Sequence, residues 1–275
     1  MEALFLIIAT LCYLSATVGY LIYLFKDREQ IHRISWSIML AGALFHAGAI
    51  VIRSSRIGQL AVTTGQEALC LFAWVFVATY LILQLRLQLR ILGSFVSPLA
   101  VIFMLSSSLL PDNIMPKSEL FKSGWVILHV SSLFLANALF ALAFSVGIMY
   151  LLQERHIKRK DFGFLYARLP SLERLDSIAH FCIMTGFPLM TLGLVAGFAY
   201  AAVVWHSPWN WDPKEIFSLV TWIIYAVLVH ERLAVGWRGR RAAWLSIAGF
   251  SAVFLTFLGA SLLLHGHHSV LSGKM

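Results

Sequence analysis

Eight stretches of about twenty mostly apolar residues, near 3–25, 34–52, 67–85, 91–110, 124–152, 177–204, 216–234 and 243–264, take up the chain almost end to end. A run of that length in hydrocarbon must pair every amide N–H and C=O within itself. None of the runs alternates polar with apolar residues as a strand would, so each is expected to be a helix. Hydrophobic residues make up 60% of the chain and charged residues 12%, too few to coat a water-soluble domain of this size. The expected fold is an all-α integral membrane protein, a bundle of about eight transmembrane helices forming a single membrane domain over 1–275. The first run has full bilayer length, no basic start and no small-residue cleavage site, and is expected to stay in the mature chain.

Basic residues set the expected orientation, since Lys and Arg near span ends favour the cytoplasmic side. One set of loops carries Lys26, Arg28, Arg33, Arg86, Arg90, the run from Arg155 to Arg174, and Arg232, Arg238, Arg240 and Arg241. The opposite set is poorer, which places both termini and the loop at 205–215 on the outer side of the membrane. Orientation also accounts for the net charge of +8 without a nucleic-acid partner. Cys12, Cys70 and Cys182 lie inside predicted spans and form no C-x-x-C or C-x-x-C-H motif, so neither a disulfide framework nor covalently attached haem is encoded.

The outer loop WHSPWNWDPKE, residues 205–215, packs three tryptophans, a histidine and both signs of charge into one short segment. Such a segment suits a large flat ligand, and haem is the first candidate. Haem iron accepts two neutral imidazoles on opposite faces, which requires two histidines at matching depth. His129 lies about 8 Å below the outer face at ~1.5 Å per residue, and His268 follows the last span on the same side. Trp205, Trp209 and Trp211 suit a porphyrin face or edge, Lys214 a propionate, and Asp212 and Glu215 the closing of the loop through ion pairs. A deeper pair, His46 in the second span and His230 in the seventh, suits a second, tilted haem. Plainer readings stand beside these. Tryptophans anchor membrane interfaces, a buried imidazole is often satisfied by a nearby carbonyl, and His230, followed by Glu231 and Arg232, also fits the start of the cytoplasmic boundary.

The loop WHSPWNWDPKE, the following span with its histidine and WRGRR, the earlier GWVILHVSS, LPSLERLD and TGFPLMTLGLVAGF, and the closing FLGASLLLHGHHS resemble the CcsA/ResC-type cytochrome c assembly proteins of system II. These are marked by a WGxYWxWDPKE loop. The similarity covers a core of about 120–270, with a weaker counterpart around Glu67. The resemblance implies that His129 and His268 are outer haem ligands and His230 an intramembrane one, with His46 carried as its candidate partner. His206, Ser207 and Pro208 depart from the usual Gly-x-Tyr, and His267 beside His268 leaves the tail ligand open between the two.

The function so implied is a haem-binding, haem-delivering subunit of a holocytochrome c synthase without autonomous activity, holding haem b non-covalently through two histidines. Its implied partners are a CcsB/ResB-type membrane subunit, apocytochrome c and thiol-reducing proteins. The short loops leave apocytochrome recognition to the partner. Two other classes compete: a HemX-like membrane regulator of haem biosynthesis, and a dihaem quinone-linked electron-transfer subunit, which has no need of the WDPKE loop.

Overall fold

A computed structural model of the chain describes residues 1–111, 124–204, 206, 207, 209, 211 and 213–263, with the side chains of 213, 214 and 255–263 left aside. The described residues form helices and contain no strand. The helices are α1 (Glu2–Lys26), α2 (Glu29–Ile57), α3 (Gly65–Leu87), α4 (Gly93–Ser108), α5 (Gly124–Arg159), α6 (Phe164–Arg168), α7 (Leu172–Val204), α8 (Pro213–His230) and α9 (Arg240–Leu263). Among the described residues seven helical segments are long and apolar enough to cross a membrane, and the eighth predicted run is occupied by α9. Several helices outrun their predicted spans. α5 has 36 residues, about 54 Å at ~1.5 Å per residue, against about 30 Å of hydrocarbon. The polar tail ERHIKR adds helix without adding apolar length, so the hydropathy pattern ends before the helix does.

The contacts divide the chain into two compact units, Met1–Lys117 with His156–Pro170, and Ser118–Arg155 with Ser171–Met275. In the first unit, α1 buries Ala9, Tyr13, Ala16, Tyr20 and Tyr23, a stripe along one face, while Leu4, Ile7, Leu11, Leu14 and Val18 stay exposed on the other. A helix apolar on every side fits lipid on its uncovered face. The tyrosines fill notches left by glycine: a Cβ at Gly42 would lie 2.9 Å from the Tyr13 ring, and one at Gly93 2.3 Å from the Tyr20 ring. Arg168 of α6 caps the end of α1, donating to the carbonyls of Tyr23 (2.5 Å) and Leu24 (3.1 Å) and pairing with Asp27. Those carbonyls lie in the last turn of α1, where helix donors run out; the Tyr23 carbonyl also accepts from the Asp27 N–H at 3.1 Å.

At the opposite end of this unit, Thr64 and Glu67 close a reciprocal capping box that starts α3. Glu67 also accepts from the Arg53 Nε at 3.0 Å, and both side chains are at least nine-tenths buried. Glu2 bridges Arg53 and Arg56, and Glu2, Arg53, Glu67 and Cys70 are among the residues lining a cavity of about 300 Å³. Removing one member of a buried ion pair strands the other charge, so Glu67→Gln is expected to lower stability by about 3 kcal/mol or more. Arg56→Met, at a contact with a largely exposed guanidinium, is expected to change it by about 1 kcal/mol or less. Denaturation midpoints of the two purified variants check this contrast.

In the second unit, α5 and α7 run antiparallel with a regular register. Phe140, Leu133 and His129 of α5 sit over Gly186, Gly193 and Gly197 of α7, and Cβ atoms on those glycines would fall 2.6, 2.7 and 2.5 Å from them. The steps between contacts are seven and four residues on both helices, the spacing that keeps one face of a helix toward its neighbour. Small residues at such positions let two helix backbones approach closely in a membrane. The Phe140 ring stacks on Tyr225 of α8 at 3.5 Å and 9°, and Tyr225 in turn fills the notch at Gly249 of α9. Two stacked rings between two glycines thus tie α7, α5, α8 and α9 together.

Candidate functional site

The close approach of α5 to α7 determines what His129 can do. Its Nδ1 lies 2.7 Å from the carbonyl oxygen of Gly193, and its ring rests against Gly197. A carbonyl only accepts, so Nδ1 carries the proton, and Nε2 is left with its lone pair. The half-buried ring is held on one side by glycine backbone and on its other nitrogen by a hydrogen bond. The plain expectation of an imidazole satisfied by a carbonyl and the metal-ligand expectation therefore describe one arrangement. Imidazoles that bind metal commonly donate their second N–H to a carbonyl, which fixes the ring and the tautomer. On this test His129 fits an axial ligand to haem iron.

The described part of the tryptophan loop attaches to the same turn of α7. Trp209 packs on Phe198, the residue after Gly197, with ring centroids 5.8 Å apart, and Trp211 meets Trp209 edge to face at 5.7 Å. The Ser207 hydroxyl donates to the Trp209 carbonyl at 2.7 Å. Trp211 remains three-quarters exposed, leaving an indole surface unused by the fold. His206 has φ +55° and Trp211 +57°, the left-handed region that glycine enters most easily. The loop thus keeps a left-handed bend at the position where the WGxYWxWDPKE pattern has glycine.

Of the other expected site residues, Trp205, Asp212 and the alternative tail ligands His267 and His268 lie outside the described residues, as does the side chain of Lys214. His230 is the last residue of α8 and exposed. His46 is buried in the first unit, with its Nδ1 3.3 Å from the Tyr13 hydroxyl and its Nε2 3.2 Å from the Cys70 Sγ. Binding iron through either nitrogen of His46 requires one of these contacts to open.

Gly193 and Gly197 form the seat of the His129 ring, although neither carries a side chain that could act as a ligand. The signal was present in TLGLVAGF, whose G-x-x-x-G spacing marks a close-packed face on a membrane helix. Arg232, which the sequence marks only as a cytoplasmic-side charge, pairs with Asp176 at 2.7 Å, as charged groups beside membrane spans tend to do.

Comparison with known proteins places the chain in a family. Residues 63–268 match the model of the family described as cytochrome C assembly protein. The cytochrome c biogenesis protein CcsA of Guillardia theta is 29% identical over 265 residues, covering 90% of this chain and 88% of its own. That of Synechococcus sp. (strain RCC307) is 28% identical over 269 residues, covering 89% and 86%. Among solved structures, the cytochrome c haem lyase CcmF superposes with a TM-score of 0.67 at 13% identity, over 98% of this chain. The chain spans 47%, about half, of the length of that structure, and the likeness is one of fold.

Proposed function

This chain belongs to the cytochrome c assembly protein family, and from that membership we propose that it is the haem-binding and haem-delivering subunit of a system II cytochrome c synthase. It is a multi-pass membrane protein of cytochrome c biogenesis. In our reading it lies in the bacterial inner membrane with both termini and the tryptophan loop outward, and it presents haem at that face to apocytochrome c.

The observation that supports this reading is the His129 ring, whose Nδ1 is held by the Gly193 carbonyl so that Nε2 keeps its lone pair, with no partner among the described residues, one residue along α7 from the Phe198 ring on which Trp209 packs. His129 and His268 would take the two axial positions of a non-covalently held haem b, with Trp205, Trp209 and Trp211 along the porphyrin, Lys214 toward a propionate and Asp212 steadying the loop. Haem supplies the vinyl groups to which the thiols of an apocytochrome C-x-x-C-H motif add. The chain contributes orientation: a clamped imidazole and a shelf of indoles hold the porphyrin at one angle, and proximity converts encounter into reaction. His230 is proposed as a ligand in a second, inner site, with His46 its candidate partner. A CcsB/ResB-type subunit would recognise the apocytochrome, and thiol-reducing proteins would keep its cysteines free.

The test is deletion of the gene followed by two measurements, covalently bound haem in c-type cytochromes and the pool of haem precursors. Loss of c-type cytochromes with normal precursors is expected. Normal c-type cytochromes with an altered precursor pool would instead identify a HemX-like regulator and sink the proposal.

A further inference from the structure

Two residues that follow His230 in the chain, Arg232 and Gly239, meet at one carboxylate oxygen of Asp176 on α7. Immediately after His230 the chain leaves α8 in a wide π-type turn, Glu231–Val235, closed by the Gly236 N–H on the Glu231 carbonyl, with Gly236 at φ +74°. π-type turns inside or at the end of α-helices are uncommon and frequently mark functional sites. Arg232, inside the turn, reaches Asp176 near the start of α7, with its NH2 2.7 Å from Oδ1. The same oxygen accepts from the Gly239 N–H at 2.9 Å, just before α9 begins. Gly239, at φ +70°, lies against the Tyr150 hydroxyl of α5, which a Cβ there would approach to 2.6 Å. The Arg232 side chain is 3% exposed and that of Asp176 15%.

We infer that Asp176 and Arg232 are positioning residues for His230. The inference rests on the reading of His230 as a ligand of an inner haem. The last turn of a helix frays unless something outside it supplies partners, and His230 is the final residue of α8. Asp176 accepts from residues two and nine positions beyond that histidine, and so anchors the turn and the segment that follows it, up to the start of α9, to α7. The backbone that carries the imidazole is thereby held at a set height, while the residue itself stays exposed. The buried guanidinium has its charge matched by Asp176, and without that carboxylate it is driven to seek water, which opens the turn. Arg232, the nearer of the two anchored residues, follows His230 by only two positions.

The experiment uses the full-length protein purified with its bound haem, as wild type and as Asp176→Asn, Asp176→Glu, Arg232→Lys and His230→Ala. The haem retained per chain, the low-spin fraction in the absorption spectrum and the midpoint potentials are measured. His230→Ala defines the spectral component that depends on the inner histidine. Asp176→Asn is expected to reduce that same component about tenfold, as loss of a supporting partner does at metal sites. Asp176→Glu is expected to restore it in part and Arg232→Lys to shift its potential, while the component that depends on His129 is retained. Unchanged inner component and potentials in both Asp176→Asn and Arg232→Lys would overturn the assignment. Equal loss of both components in those variants would also overturn it, by showing a general role in folding. If His230→Ala itself leaves the spectrum intact, the reading of His230 as a ligand fails, and the positioning role falls with it. Arg232→Lys keeps the buried charge and remains informative should Asp176→Asn fail to fold.

Discussion

His129→Ala is expected to reduce covalent haem attachment to apocytochrome c by at least about 100-fold and to convert the low-spin spectrum of the purified protein to high spin. Replacing a mere supporter of a metal ligand costs about 10- to 100-fold, and removal of the ligand itself is expected to reach at least the upper end. The geometry makes the prediction specific. The Gly193 carbonyl occupies Nδ1, so what the alanine variant loses is the coordinating Nε2 and the ring that carried it. Exogenous imidazole, small enough to enter the space the side chain vacates, is expected to restore low-spin character and part of the attachment activity. His268→Ala is expected to behave in the same way. Low-spin spectra and full attachment in both variants would refute the outer ligand pair.

A second large effect is expected from a position with no functional group. In Gly197→Ala a single methyl would fall 2.5 Å from both Cε1 and Nδ1 of His129. Real Cβ atoms do not approach so closely, and the backbone of α7 is pinned against α5 at Gly193 and Gly186 as well. The imidazole is the part that yields, by roughly 1 Å, and it does so by leaving the Gly193 carbonyl. A displacement of about 1 Å at a reacting centre can cost about 100-fold in rate, and attachment in Gly197→Ala is expected to fall by that order with the protein still folded. Gly48→Ala is the matched control: nothing lies within 4 Å of a Cβ there, and helix propensity favours alanine by about 1 kcal/mol. Wild-type attachment in Gly197→Ala would show that the seat of His129 is more compliant than its contacts indicate.

The helices were legible in the sequence because the signal is local. A long apolar run is a helix in lipid whatever its neighbours do, so eight runs led to α1–α5 and α7–α9. Their ends were less legible. α2 and α5 continue into polar residues, where helix propensity and capping rather than hydropathy determine length. Ser171, just before α7, accepts from the Arg174 N–H at 3.3 Å and so helps to set where that helix begins. The capping box of Thr64 and Glu67 is written in TTGQE as plainly as any, yet the link from Glu67 to Arg53 joins α3 to α2 and has no signature in either segment.

What the sequence determined by itself is residence in a membrane, helical structure, and the presence of imidazoles and indoles of the right kind near one end of the spans. Each follows from residue type and short-range spacing. Only the tertiary structure decided that the Nδ1 of His129 is taken and its Nε2 free, that both nitrogens of His46 already have neighbours, and that Asp176 secures the turn after His230. The reason is geometric. Which atom faces an imidazole depends on the helix lying across from it, and that partner is 64 residues away for His129 and 56 for the ion pair of Asp176 with Arg232. Spacing within one helix carries no information about a register set between two.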